Sequence, residues 1–348
     1  MKVGRLDAGR VVLADAEAPH AGPGEVIVRL AACGVCGTDL EKVRGNYQSA
    51  GRIGHEPVGV IDEIGPGVER HRPGDRVFVH HHVPCYACAV CRRGDTTFCP
   101  TYQRTNIDPG GFAERFRVPE ENVRRGAVLT LGAPVGWEDG ALLEPAGCAL
   151  TALRRVGFRA GDSVFIVGLG PVGLLYARLA HAMGAGWVGG AELSPLRRAA
   201  AARGGAEATV DPREDGAAEQ LVAEATGGIG VDVSVVATGA PAAVSLASRL
   251  PRRGGTLNLF GLPEAKSRLD VDLQALYLHG TRIVPTYATT ERDIADVHAL
   301  VASGRLAIRD LVTHRVPLAR IDEAFRLAAA PAEALKVVVT GPALGPGA

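Results

Sequence analysis

The sequence predicts two domains of different build: a mainly β domain made from the two ends of the chain, and a doubly wound α/β domain with a parallel sheet inserted between them. Three observations carry this. The 348 residues exceed the roughly 100 to 200 that one core usually organises. In the first part, short apolar runs such as Val26-Ile27-Val28 and Val58-Gly59-Val60-Ile61 are punctuated by Gly-Pro and Pro-Gly pairs. Past residue 150 the texture changes to β-branched runs separated by Ala-rich helical stretches, the pattern of a parallel sheet covered on both faces.

In chain order, residues Val26 to Val79 read as short strands joined by tight turns. The inserted sheet is expected at Ser163 to Val167, Trp187 to Leu193, Val231 to Val236 and Gly255 to Phe260. Beyond Ile283, a helix from Glu291 to Ser303 and a strand at Val337-Val338-Val339 fall outside the last βα unit, so they return to the first domain. The expected boundaries are therefore 1–149 with 284–348 for the β-rich domain and 150–283 for the insertion. A reaction site is expected in the cleft between them.

Charge and composition exclude some classes of function. Lys+Arg and Asp+Glu are both 38, so there is no basic surplus to attract nucleic acid. Residues Met1 to Val12 lack the apolar core of a secretory signal, and no stretch approaches the ~20 apolar residues of a membrane span. A cytoplasmic location is expected. Four of the seven cysteines crowd into one short segment, which suits metal binding better than a disulfide framework.

Those four, Cys85, Cys88, Cys91 and Cys99, form C-x2-C-x2-C-x7-C. Four thiolates surround Zn2+ tetrahedrally and leave no open position, so such a site holds a lobe in shape rather than activating a substrate. Free or paired cysteines and an iron–sulfur cluster are the other readings. The neighbouring His80-His81-His82 is left out of the ligand set, because alternate residues of a strand face opposite sides.

The strand Ser163 to Val167 runs directly into Gly168-Leu169-Gly170-Pro171-Val172-Gly173 and then an Ala/Leu-rich helix. A strand before and a helix after make this G-x-G-x-x-G a dinucleotide-binding, or Rossmann, signature. The glycines admit a pyrophosphate to the backbone, and the helix N-terminus offers it N–H groups. Glu192, 22 residues after Gly170, stands where a carboxylate accepts hydrogen bonds from the adenosine ribose and repels a 2'-phosphate, which favours NAD. Arg197-Arg198 is the counter-signal that keeps NADP as the alternative.

Upstream, Cys33-Gly34-Val35-Cys36-Gly37-Thr38-Asp39 and Gly54-His55-Glu56 place thiols, an imidazole and carboxylates on loops. Three such ligands leave a zinc ion one position for water or an alcohol, whose pKa it lowers towards roughly 7.

Cys36-Gly37-Thr38-Asp39, Gly54-His55-Glu56-Pro57-Val58-Gly59, Pro73-Gly74-Asp75-Arg76-Val77, the cysteine tetrad, Gly111-Phe112-Ala113-Glu114, Glu144-Pro145 and the Gly168 loop occur here in one order. In that order they resemble the zinc-dependent medium-chain alcohol dehydrogenases, and within them the sorbitol, glucose and threonine dehydrogenase branch, over nearly the whole chain. The resemblance implies a GroES-like catalytic domain with two zinc sites and an inserted Rossmann domain. It implies that Cys36 and His55 ligate the catalytic zinc, that Glu56 is an adjacent ligand, and that Glu144 binds the metal or its water.

Liver-type members have a cysteine at that last position, whereas the polyol branch has an acidic residue followed by proline, as Glu144-Pro145 is. Cys148 is the other candidate, about one turn beyond Glu144 if a helix begins at Pro145. A small buried apolar role is the competing reading for Cys148 and for Cys33.

The implied reaction is oxidation of a secondary alcohol of a polyol, sugar or cyclitol to a ketone, with NAD as acceptor and two Zn2+ per chain. Thr38 would begin a proton relay and Glu41, where many members have histidine, would continue it. Thr38-x-x-Glu41 is equally a helix capping box. Asp39 reads either as a partner of His55 or as a helix cap. Glu114 and Tyr287 border the substrate pocket by the same analogy. An L-threonine or short-chain alcohol or diol dehydrogenase is the rival within the class. A non-catalytic zinc-binding module and a zinc-free quinone reductase are the rivals outside it. The resemblance further implies a homotetramer or homodimer.

Overall fold

The computed structural model describes residues 1–47, 51–263, 267–268 and 272–344. The chain divides into two compact units. One comprises Met1–Gly147, Thr289–Ala330 and Lys336–Ala348; the other comprises Cys148–Ala288 and Pro331–Leu335.

The first unit opens with an antiparallel hairpin, β1 (Lys2–Asp7) and β2 (Arg10–Asp15). Its main sheet begins with β3 (Val26–Gly34), β4 (Pro57–Ile64), β5 (Arg76–Val79), β6 (Arg115–Val118) and β7 (Val128–Thr130). Apart from Arg29, β3 is apolar and buried, as suits the strand through which the sheet is organised. The helix Gly37–Val43 follows it directly, and the helix Leu143–Val156 closes this part of the chain.

In the second unit lie β8 (Ser163–Val167), β9 (Trp187–Ala191), β10 (Ala208–Val210), β11 (Val231–Val236), β12 (Pro251–Leu259) and β13 (Arg282–Pro285). They form one parallel sheet in the order β10-β9-β8-β11-β12-β13. The strand order reverses beside β8, and such a switch point opens a crevice at the carboxyl ends of the strands. One face carries a core in which Phe165 and Trp187 stack with ring centroids 6.2 Å apart. Gly189 makes room for that indole, since a Cβ there would lie 2.2 Å from the Trp187 ring.

The expected boundary at 283/284 falls inside β13. That strand pairs in parallel with β12 from Thr256↔Arg282 to Leu259↔Pro285, so sheet pairing carries the second unit on to Ala288. The chain then returns to the first unit with the helix Glu291–Ala302, β14 (Val312–Pro317) and β15 (Lys336–Thr340). β15 pairs with β3 through Val338↔Gly34, and the sheet runs β14-β15-β3-β4-β5-β7 with β6 also on β3. Among the described residues, no helix is long and apolar enough to cross a membrane.

Candidate active site

Cys36 sits where β3 gives way to the Gly37–Val43 helix, as the N-cap with φ −97° and ψ 154°. The residue that reaches back to cap this helix is Asp39: its Oδ2 accepts the Cys36 N–H at 3.3 Å. Its Oδ1 accepts the Gly54 N–H at 3.1 Å and lies 3.5 Å from His55 Nδ1. One fully buried carboxylate therefore fixes the backbone of both loops and orients the imidazole. Burial alone would raise the Asp39 carboxyl, but His55 and the hydrogen bonds outweigh it and hold it at about 2. His55 is likewise pulled down by burial, yet Asp39 and then Cys36 lift it well above the usual imidazole value. The pocket thus gathers negative charge that calls for a cation.

Cys36, His55 and Glu56 each offer a donor atom, all within 4.8 Å of one another. Glu56 is fully buried, and its Oε1 has no hydrogen-bond partner among the described residues. An orphaned buried acceptor beside a thiol and an imidazole fits a divalent metal of the zinc type. Glu56 Oε2 lies 2.5 Å from the ammonium of Lys336, a buried residue on β15. Burial depresses that ammonium, but Glu56, then Cys36 and Glu144, outweigh it and leave its pKa above the usual lysine value. Gly34 permits the arrangement, because a Cβ there would fall 1.8 Å from Glu56 Oε2.

Lys336 is absent from the residues that the sequence singled out. The available signal was a lone lysine in the run Ala334-Leu335-Lys336-Val337-Val338-Val339.

Glu144 is buried as the second residue of the Leu143–Val156 helix, near enough to favour the Lys336 charge, but it is not in the converging set of three. That helix begins at Leu143 rather than Pro145. Cys148 follows one turn later and is half-buried, whereas Cys33 is fully buried.

Thr38 is half-buried in the first turn of its helix. Glu41 accepts from Arg44 at 2.6 Å and from Asn46 at 2.7 Å. The Thr38–Glu41 capping box does not form, because the helix starts two residues earlier than that pattern requires. Glu114 accepts the Lys2 N–H at 2.7 Å.

His80, His81 and His82 follow the end of β5, so strand alternation does not apply to them. Their rings meet in succession, His80 edge-on to His81 at 5.0 Å between centroids and His81 tilted against His82 at 4.0 Å, and the His81 ring lies 5.2 Å from that of His55. His81 therefore borders the site, while none of the three histidines joins either metal-competent group among the described residues.

The four cysteines of the tetrad bring their sulfurs within 4.8 Å of one another. Cys85 to Cys91 is 3.9 Å and Cys88 to Cys99 is 3.8 Å. Metal–sulfur bonds of about 2.3 Å give a tetrahedron with edges of about 3.8 Å. A disulfide at about 2.05 Å is far shorter. Backbone N–H groups of Ala87 and Cys88 point at Cys85 Sγ, and that of Cys85 points at Cys99 Sγ. Burial raises Cys99, but the backbone amides of Cys85, Tyr102 and Thr101 bring it to about 6; Cys91, buried among the other sulfurs, is pushed up to about 12. Four thiols so placed ionise together only around a cation.

In the second unit, β8 gives way at Gly168, whose φ is +97°, and the helix Pro171–Ala182 starts with Gly170 as N-cap and Pro171 in its first turn. A Cβ on Gly173 would fall 2.1 Å from the Gly168 carbonyl oxygen, which explains the third glycine. Val172 is half-buried in the same first turn. Glu192, at the end of β9, accepts the Leu169 N–H at 2.8 Å and the Ser194 N–H at 2.9 Å, so it braces the loop. Arg197 reaches over that loop, with Nη1 3.6 Å from where a Gly170 Cβ would stand. Its Nε is buried without a partner among the described residues. Arg198 turns away, donating to the Glu192 and Leu193 carbonyls and to Asp211.

A β-rich unit with two metal-competent clusters, joined in one chain to a dinucleotide-binding sheet, defines the class of zinc-binding oxidoreductases. Residues 22–126 match the alcohol dehydrogenase GroES-like domain, and residues 171–303 match the zinc-binding dehydrogenase family. The chain is 33% identical to L-threonine 3-dehydrogenase of Pyrococcus abyssi over 90% of its own length and 91% of that protein. It is 32% identical to sorbitol dehydrogenase of Bacillus subtilis, covering 90% of each. An alcohol dehydrogenase from Thermus sp. ATN1 superposes with a TM-score of 0.86 at 29% identity, over 98% of this chain and 100% of that one. The chain belongs to the zinc-dependent medium-chain alcohol dehydrogenase family and is an NAD(P)-dependent alcohol oxidoreductase.

Proposed function

We propose that this enzyme oxidises a secondary alcohol of a polyol, sugar or cyclitol to the ketone, with NAD as acceptor and a zinc ion held by Cys36, His55 and an acidic residue. The observation that carries the reading is the convergence of Cys36, His55 and the buried Glu56 within 4.8 Å, braced by Asp39. Glu56 is the adjacent acidic ligand, Glu144 completes the site, with Cys148 or water as the alternatives, and the tetrad of Cys85, Cys88, Cys91 and Cys99 takes a second zinc.

Bound zinc supplies Lewis-acid polarisation of a hydroxyl, and bound NAD supplies the hydride acceptor. The chain's own groups do the rest. Asp39 keeps the His55 imidazole aimed at the donor set, and Lys336 balances the carboxylate of Glu56. Thr38 accepts the hydroxyl proton at its Oγ1 as it gives up its own, and Glu41, bonded to Arg44 and Asn46, carries that proton outward. The substrate loses one hydride from carbon and one proton from oxygen, which balances as a ketone.

The preference for NAD rests on Glu192, which stays beside the loop, and on Arg198, whose guanidinium is already committed to the Glu192 and Leu193 carbonyls and to Asp211. Gly168, Gly170, Val172, Gly173 and Arg197 complete the cofactor set. A homotetramer or homodimer is part of the same reading. Exposed Leu273, Tyr277 and Leu278, on the helix leading into the edge strand β13, support self-association.

Oxidation of L-threonine or of a short-chain alcohol or diol is the second reading, favoured by the similarity to the Pyrococcus threonine dehydrogenase. Nicotinamide absorbance is followed with NAD and sorbitol, glucose, inositol, threonine and 2,3-butanediol, with Cys36→Ser as control. Turnover of a polyol, lost in the control, supports the proposal; turnover of threonine or butanediol alone moves the assignment to the second reading.

A further inference from the structure

Tyr86 stands between Cys85 and Cys88 with a φ of +55°, a left-handed conformation that a bulky L-residue adopts only at a cost. The turn needs that conformation, because it swings the Ala87 and Cys88 N–H groups onto Cys85 Sγ at 3.4 and 3.3 Å. Glycine would make the same turn freely, so the tyrosine side chain supplies something that glycine cannot.

The side chain reaches out of the tetrad loop. Its hydroxyl donates to Glu291 Oε1, and its ring lies 3.8 Å from the Arg292 guanidinium. Those are the first two residues of the Glu291–Ala302 helix. From the other end of the lobe, Tyr102, three residues past Cys99, donates to the Thr289 carbonyl at 2.9 Å. The same stretch packs tightly on the Leu143–Val156 helix. A Cβ on Gly147 would lie 2.7 Å from Ile294 Cγ1 and 3.0 Å from Thr289 Oγ1. Gly147 is three residues from Glu144. The tetrad lobe, residues 289–294 and the helix of Glu144 are therefore contiguous.

We propose that Tyr86 is a positioning residue that latches the tetrad loop to the first turn of the Glu291–Ala302 helix, so that a metal on the four cysteines fixes residues 289–294 against the helix carrying Glu144. This rests on the reading of the tetrad as a metal site. It gives that metal a duty beyond its own lobe.

Amide hydrogen exchange of residues 289–302 tests it in the metal-loaded protein and after chelation, with metal content measured in parallel. The same pair of measurements in Cys36→Ser, which lacks the other centre, makes chelation report the tetrad alone. In the otherwise unaltered chain, stripping speeds exchange of this helix about tenfold, as expected for losing a hydrogen bond to a charged group. Tyr86→Gly retains its tetrad metal but already exchanges about tenfold faster when loaded, and stripping adds little. Glu291→Gln, altered from the opposite side, behaves in the same way, and Tyr86→Phe falls between because it keeps the ring under Arg292. The proposal is overturned if loaded Tyr86→Gly protects the helix fully, or if stripping accelerates exchange equally with and without Tyr86. A tetrad that holds no metal in the unaltered protein overturns the metal reading, and the latch with it.

Discussion

Lys336 and Glu56 are among the least exposed residues of the chain, at 2% and 0%, and each is tolerable there only because of the other. Removing one partner of a buried ion pair strands the remaining charge, at a cost of about 3–5 kcal/mol, whereas removing both is far milder. Lys336→Met is therefore expected to lower the urea-unfolding stability of the metal-free protein by roughly that amount. Lys336→Met with Glu56→Gln should recover most of the loss, and a double variant as unstable as the single would show that the pairing is not what matters. Cys36, His55 and Glu56 were legible in the sequence because each lies in a local pattern whose spacing carries chemistry. Lys336 was not, because its meaning comes from β15 pairing with β3, a contact between opposite ends of the chain.

At the scale of elements, the His80–His82 turn shows a different limit of sequence reading. Alternation is a property of strands, and β5 stops at Val79, so the rings meet one another edge-on and tilted instead. Burial lowers His80 to about 3 and His82 to about 4. The unfolded chain binds these protons near pH 6.5 and the folded one does not, so stability is intact above about 6.5 and falls as the pH drops towards the folded values. Each ring removes roughly 2 kcal/mol by pH 5. Denaturant titrations at pH 7.5 and 5 should find His80→Leu losing less than the unaltered protein by about that much; equal losses would contradict the assignment. Strand positions in the second unit were readable from their β-branched runs. The end of that unit was not, because Arg282–Pro285 is too short and mixed to announce itself before its pairing with β12 is seen.

Over the whole molecule, the proposed function divides the labour of metal binding between the two cysteine-bearing clusters. Cys99→Ser should reduce zinc by about one equivalent per chain and lower the melting temperature, because a closed thiolate site contributes folding energy. Cys36→Ser should also lose about one equivalent and abolish turnover, with a much smaller effect on melting. Metal analysis beside calorimetry distinguishes them, and a reversed pattern would exchange their assigned roles.

The chain passes between the two units four times, since Pro331–Leu335 rejoins the second unit after Thr289–Ala330 has returned to the first. The Ser194 hydroxyl donates to the Pro331 carbonyl at 3.0 Å, so that short return visit is bonded in place. The cofactor-binding half is thus not a cassette that can be lifted out whole. A polypeptide of residues 148–288 would lack a piece of its own surface beside Glu192, and grafting this half onto another scaffold would require the recipient to hand back those five residues from elsewhere in its sequence.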